Sequence, residues 1–389
     1  MSESETPAAM NSQREIKSLT GIRGVAACFV VIYHYLALGS GSGLTGTVIK
    51  HGYLAVDLFF VLSGTVMALT YGQDFRERFK VGTFARFLMR RLARVYPLYL
   101  ATSLACLILY YADREAQSVL PEPTWLAVGS NLLLVQAWGI GDSINGPGWS
   151  ISTELFAYVL FPCLVSVLIF GPARIAAAVA ALGGIGLCAL AAVPDAAAQQ
   201  TVRFGPLDLY MGQTVFPLMR CGIEFCLGLL AWRLMGVPQM RRLAGGRFVG
   251  DGLAAAILLL LAIRDSDVIL VLLFVPLIMA LAAGRGVAAR LLGSPPLHAL
   301  GVLSYSIYLV HRPVLDHLEP PVVRMIEAWQ IPHPHLLAAV LLVPCTVLIS
   351  VATFRLIEKP GRQLARGIGF RRDRAPASRS GPQGQGAQA

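Results

Sequence analysis

Five ionisable side chains stand where an apolar helix should carry none: His34, Asp57, Glu154, Glu224 and His311 all fall inside or beside long hydrophobic runs. A charged group near the centre of a bilayer costs on the order of several kcal/mol, so groups of this kind gather around a shared polar cavity. His34 shares its run with Arg23, eleven residues earlier. Eleven residues make about three helical turns, which places the two on one face about 16 Å apart along the axis. A second cationic group, Arg90, Arg91 and Arg94, precedes Tyr96-Pro97 at the foot of another run. Guanidinium groups offer forked donors that match phosphate oxygens. The residues therefore point to a histidine among carboxylates in low dielectric, where each perturbs the others, and to an arginine cluster suited to a phosphorylated ligand. Plainer roles stand beside these. Arg23 also fits a snorkelling anchor, His34 between Tyr33 and Tyr35 a hydrogen-bonded structural residue, and Arg220 with Glu224 an i,i+4 pair. The arginine cluster also fits a simple topology signal.

The elements that must position these groups are apolar helices. Of 389 residues 56% are hydrophobic and 14% charged, with mean hydropathy +0.63, whereas soluble domains carry about a quarter charged residues. Runs of about 17–23 apolar residues predict spans near 22–38, 53–71, 94–111, 149–170, 174–193, 218–234, 249–263, 267–283, 300–316 and 335–357. The expected fold is all-α, a polytopic membrane bundle of about ten transmembrane helices. The apolar stretch 126–138 is too short to span and is expected to be re-entrant or interfacial. The run after Arg23 is long and lacks a small-residue cleavage site, so it reads as a retained helix rather than a signal peptide.

With the N-terminus inside, seven of the 32 Lys and Arg residues fall on the outer side: Lys50, Arg114, Arg203, Arg220, Arg264, Arg312 and Arg324. The remaining 25 lie inside, which predicts an N-in, C-in orientation. The +10 charge is explained by these inner runs and excludes nucleic acid as the expected partner. The seven cysteines lie in or beside apolar runs, without the paired spacing of a zinc site or a disulfide framework, and no metal is expected. Three segments follow: a polar cytoplasmic N-terminus 1–17, a transmembrane domain 18–366, and a tail 367–389 rich in Arg, Gly, Ser and Gln that is expected to be disordered. No internal repeat is evident.

At the same positions the chain resembles the membrane-bound acyltransferase-3 family, which O-acylates exopolysaccharides, lipopolysaccharide O-antigens, Nod factors and macrolides. The resemblance starts at Leu19-Thr20-Gly21-Ile22-Arg23-Gly24, with the Arg23 to His34 spacing, and continues through Val56-Asp57-Leu58-Phe59-Phe60-Val61-Leu62-Ser63-Gly64. Next come Arg90-Arg91-Leu92-Ala93-Arg94-Val95-Tyr96-Pro97, Gly148-Trp149-Ser150-Ile151-Ser152-Thr153-Glu154, then Arg220 with Glu224-Phe225 and Gly228. It ends with Ser304-Tyr305-Ser306-Ile307-Tyr308-Leu309-Val310-His311 and Ile357-Glu358-Lys359-Pro360. Each element is weak alone; all of them in this order are specific. After Glu154 the chain departs from many relatives, reading Leu155-Phe156-Ala157-Tyr158 in place of a further polar residue and an aromatic pair. Some relatives carry an extracytoplasmic hydrolase-like domain after the bundle, and this sequence looks like the stand-alone form.

The resemblance implies a multi-pass enzyme of the bacterial cytoplasmic (inner) membrane that moves an acyl group from cytoplasmic acyl-CoA, acetyl-CoA first, to a hydroxyl of a cell-envelope or exported carbohydrate or lipid-linked glycan. It implies no permanently bound cofactor. His34 is the expected base or acyl acceptor, because a sugar hydroxyl must lose its proton as it attacks the thioester, and Asp57 or Glu154 is expected to orient the imidazole. Arg23, Arg90, Arg91 and Arg94 are expected to hold the donor, and Trp149, Ser152, Arg220, Glu224, Tyr305, Tyr308 and His311 to line the substrate site. The rival readings are a transporter or flippase, since a polar path through a bundle describes one equally well, and a non-catalytic envelope assembly or sensor protein.

Overall fold

Lipid offers no partner to backbone N–H and C=O groups, so a chain this apolar must satisfy them within its own helices. A computed structural model describes residues 15–41, 43–77, 79–112, 122–200 and 202–363, and among them there is no strand. The long helices are α1 (Lys17–Leu36), α2 (Leu54–Tyr71), α3 (Val81–Ala112), α4 (Gly148–Leu168) and α5 (Ala173–Ala191). They are followed by α6 (Phe216–Met235), α7 (Val249–Leu260), α8 (Asp267–Ala282), α9 (Pro295–Ala328) and α10 (Pro334–Thr353). Each predicted span falls on one of these helices. The N-terminal segment to residue 14 and the expected tail 367–389 lie outside the described residues.

Six helical stretches are long and apolar enough to cross a membrane: α1, 44–75 with α2, α3, α4, α5, and 334–363 with α10. Two bent pairs, α6 with Pro238–Ala244 at 104° and α8 with Gly286–Leu292 at 80°, raise the number to eight. The two predicted spans that fall short of ten do so for different reasons. α7 has only 12 residues, and α9, though 34 residues long, carries Arg312, Asp316, Glu319 and internal Pro313, Pro320 and Pro321. The stretch 126–138 contains an eight-residue helix, Trp125–Leu132, whose Thr124 side chain caps the Ala127 N–H at 3.1 Å. Turns follow it up to α4.

Two close helix pairs set the frame of the site. α1 and α9 run in parallel and touch backbone to backbone at Gly24 and Gly301, where a methyl group on Gly301 would fall 1.9 Å from the Thr20 carbonyl oxygen. α2 and α6 make the same kind of contact at Gly64 and Gly228, where a methyl on Gly228 would fall 2.0 Å from the Val61 oxygen. Small residues permit this approach, and packing of this kind drives helix association where lipid is as apolar as the side chains. Thr65 Oγ1 adds a hydrogen bond to the Gly228 carbonyl at 3.0 Å. α2 belongs to the enclosed centre, the stretch 44–75, whose apolar segment is 78% buried, whereas α5 stands at the periphery with 17%. Polar residues on α2 are therefore forced to find partners within the bundle.

Candidate active site

The ionisable groups that the sequence assigns to one shared polar cavity separate into three clusters. The first is a histidine pair: His34 Nδ1 lies 3.3 Å from His311 Nε2, with ring centroids 4.8 Å apart. His34 Nδ1 also lies 2.9 Å from the Val30 carbonyl, and His311 Nδ1 lies 2.6 Å from the Tyr308 carbonyl. The pair follows from the α1–α9 register: His34 is ten residues beyond Gly24 and His311 ten beyond Gly301, so parallel helices in contact at the glycines meet again at the histidines. The expectation that Asp57 or Glu154 orients the imidazole gives way here, because both carboxylates are engaged elsewhere.

Asp57 is held by Arg220 in a two-pronged ion pair, Nε to Oδ1 at 2.8 Å and Nη2 to Oδ2. Both side chains are buried completely, which a planar guanidinium fork tolerates when both carboxylate oxygens are met. Glu224 Oε1 lies 3.8 Å from Arg220 Nε, and no described donor hydrogen-bonds to either Glu224 oxygen. The guanidinium also faces the rings of Trp149 at 5.6 Å and Tyr53 at 5.8 Å. The i,i+4 spacing of Arg220 and Glu224 thus yields the weaker of the two contacts, and the stronger crosses to α2.

Glu154 lies deeper. It sits six residues into α4, about 9 Å along the axis, and accepts a hydrogen bond from Ser63 of α2. It faces a cavity of about 110 Å³ that also exposes Arg23, Arg91, Arg94, Ser150, Ser304, Tyr305 and Tyr308. Three guanidinium groups thus face one carboxylate. Arg91 donates to the Tyr158 hydroxyl at 3.1 Å and lies 5.1 Å from its ring, while its Nε has no hydrogen-bond partner among the described residues. Arg90 is exposed, turned about 100° around α3 from Arg91, and does not line the cavity. A concave space with excess positive charge and unspent donors is suited to an anionic ligand.

The cavity ends near the histidines. Tyr308 and Ser150 line it and hydrogen-bond to each other at 2.9 Å, while the Tyr308 ring lies 5.9 Å from that of His311. Tyr305 donates to the Val95 carbonyl at 2.5 Å, tying α9 to α3. Trp149 stands between the cavity wall and the buried ion pair, edge-on to Phe60 at 5.9 Å. Ser152 faces away: its hydroxyl donates to the Leu134 carbonyl at 2.9 Å and accepts the Ala137 N–H at 3.2 Å. It holds the loop that leads into α4.

Ser63, Ser150, Ser304 and Tyr158 were not singled out from sequence, although they fall in the quoted motifs. A serine next to glycine on a buried helix was the available signal for Ser63. Over the histidine end lies the segment from Arg203 to Thr214. Asp208 there accepts from the Tyr33 hydroxyl at 3.4 Å and the Phe204 N–H at 3.2 Å, and Asp267 of α8 accepts from Tyr53 and from the Leu207 N–H at 2.8 Å. Burial pushes the Asp208 carboxyl up to about 6, against the opposing pull of the Phe204 N–H and Arg220.

Comparison with known proteins places the chain among acyltransferases. The chain is 31% identical over 334 residues to the acyltransferase MdmB of Streptomyces mycarofaciens, covering 78% of this chain and 79% of that one. It is 44% identical over 159 residues to protein 2 in the picA locus of Rhizobium radiobacter, covering 37% of this chain and 78% of that one. It is 23% identical over 381 residues to the peptidoglycan O-acetyltransferase OatA of Listeria monocytogenes, covering 90% of this chain but 56% of that one. No solved structure matches. The acyltransferase-3 family model, described as an acyltransferase domain, matches residues 16–355, a range that contains all three clusters. This all-α membrane protein therefore belongs to the acyltransferase-3 family.

Proposed function

We propose that the protein is an O-acyltransferase that moves an acyl group, acetyl first, from cytoplasmic acyl-CoA to a hydroxyl of a cell-envelope or exported carbohydrate. The observation that carries this reading is the cavity in which Arg23, Arg91 and Arg94 face Glu154 alone, at the other end of α1 from His34. Coenzyme A has phosphates at one end and a thioester on a flexible arm at the other. The arginines meet the phosphates, and the arm runs along α1 over the roughly 16 Å to His34. Tyr305 and Tyr308 line the passage, with Trp149 behind its wall.

The acceptor hydroxyl reaches the His34 end, and His34 removes its proton as the hydroxyl attacks the thioester carbonyl. In an N-in, C-in orientation the arginines lie toward the cytoplasm and His34 in the outer half of the membrane, so donor and acceptor approach from opposite faces. The Listeria relative, whose name assigns it to peptidoglycan, supports a glycan acceptor, and a bacterial inner membrane suits the reaction.

The test uses purified protein, acetyl-CoA labelled in the acetyl group, and a panel of envelope glycans. Transfer is expected with the wild type and is lost by a factor of about 100 or more in turnover for His34→Ala. Arg91→Ala and Arg94→Ala should chiefly raise KM for acetyl-CoA, because they touch a non-reacting part of the donor. Unchanged donor affinity in both arginine variants would place the donor elsewhere, and normal turnover in His34→Ala would remove the base.

A further inference from the structure

We propose that His311 is the positioning residue of His34: together with the Val30 carbonyl it fixes which nitrogen of His34 carries the proton, the place a carboxylate takes in a serine-hydrolase triad. The inference rests on the acyl-transfer reading above for its kinetics, but not for its geometry. A carbonyl oxygen only accepts hydrogen bonds. His311 Nδ1, 2.6 Å from the Tyr308 oxygen, therefore carries a hydrogen, as does His34 Nδ1, 2.9 Å from the Val30 oxygen. In a neutral His311 this leaves a lone pair on Nε2, which faces His34 Nδ1 at 3.3 Å. The His34 N–H is then shared between the Val30 carbonyl and His311 Nε2, and the basic lone pair of His34 is confined to Nε2.

The surroundings favour this assignment. Among the described residues no carboxylate lies within ion-pair distance of either ring. Asp57 on α2 is committed to Arg220. Arg312, adjacent to His311, pairs with Asp316 at 2.9 Å and adds positive charge beside the rings. The other titratable neighbours are Tyr33, edge-on to His34 at 4.7 Å and itself bonded to Asp208, and Tyr308. In the reaction, His34 Nε2 takes the hydroxyl proton as the new C–O bond forms. The C–S bond breaks, and the departing thiolate takes that proton from Nε2. Through both steps His34 Nδ1–H stays bonded to His311, which holds the ring in one tautomer and accepts from the transient imidazolium.

Gln at position 311 keeps an acceptor near the place of Nε2, whereas Asn keeps only the donor near the place of Nδ1. His311→Gln should therefore retain turnover within about tenfold of wild type, while His311→Asn and His311→Ala lose about 100-fold or more with KM for acetyl-CoA unchanged. A structural role would affect Gln and Asn variants alike, and that result overturns the proposal. A second readout does not depend on turnover: nitrogen NMR of histidine-labelled protein, with His34→Ala and His311→Ala for assignment. It should show both residues as Nδ1–H tautomers. A His34 resonance of the Nε2–H form overturns the proposal whether or not acyl transfer occurs, whereas Nδ1–H tautomers in a protein without transfer activity would uphold the pair and count against the reaction.

Discussion

Arg220 and its two carboxylates show how unequal neighbours become inside a bundle. Asp57 takes both prongs of the guanidinium, and Glu224 is left at 3.8 Å without a hydrogen bond from any described donor. Asp57→Asn should strip the buried cation of its counter-charge and destabilise the protein by about 3–5 kcal/mol. Glu224→Gln, which supplies an amide donor beside Asp57, should be close to neutral. Chemical denaturation in a mild detergent separates the two, and equal losses would mean that the carboxylates share the arginine evenly. Asp208 makes a different prediction. Its raised value, about 6 against the ordinary value near 4, means that the fold favours the protonated form. The stability it contributes is complete below about pH 4 and is lost as pH rises through about 6. Thermal midpoints should therefore drop between about pH 4 and pH 7 in the wild type, and less so in Asp208→Asn; identical profiles would exclude Asp208 as the source. At this scale the sequence was informative about identity: His34, Glu154, Arg23, Arg91 and Arg94 stood out because lipid makes polar residues conspicuous. It was uninformative about pairing, because whether Asp57 meets His34 or Arg220 depends on helix rotation, which spacing within one helix does not record.

The helices owe their mutual placement to residues with no side chain. Gly24 against Gly301, and Gly64 against Gly228, let backbones approach within van der Waals distance and so fix rotation and register together. A methyl at Gly301 has no room, so Gly301→Ala should separate α1 from α9, cost about 1–3 kcal/mol through overpacking and widen the His34–His311 distance. Turnover should fall although no reacting group has changed. Gly222, on the outer side of α6 with nothing within 4 Å, serves as the control. Gly222→Ala should be tolerated or stabilise the helix by up to about 1 kcal/mol. Stability and turnover measured side by side decide the matter, and a fully active Gly301→Ala would show that the register is set elsewhere. The glycines lay in plain view in the sequence, beside Arg23, Ser63 and Glu224. Which glycine faces which helix is a tertiary fact, and the loop 133–147, which Gln136 pins to Tyr99 beside Asn131 of the preceding helix, was likewise invisible to apolar periodicity.

For the whole molecule, hydropathy located every long helix, because the bilayer imposes a length and a composition on anything that crosses it. It was less exact about which helices cross. α7 is short and α9 is interrupted by charge and proline, and both matter for the parity of the chain. The parallel pairings of α1 with α9 and α2 with α6 require an even number of reversals between the partners of each pair. Ten crossings satisfy this. Cysteine labelling at positions near 80 and 243 should report the cytoplasm, and at positions near 45 and 205 the outside; an outside signal near 80 would invert the proposed directions of donor and acceptor.

His34 and His311 are 277 residues apart in the chain. A ribosome feeding this protein into the membrane delivers His34 first, and seven more long helices pass before α9 brings the partner ring. Throughout that interval His34 has the Val30 carbonyl of its own helix as acceptor, and the second acceptor, His311 Nε2, is still to come. The pair closes only once α9 has been inserted, so a copy that stops before α9 is expected to lack the second acceptor on which the proposed reaction depends.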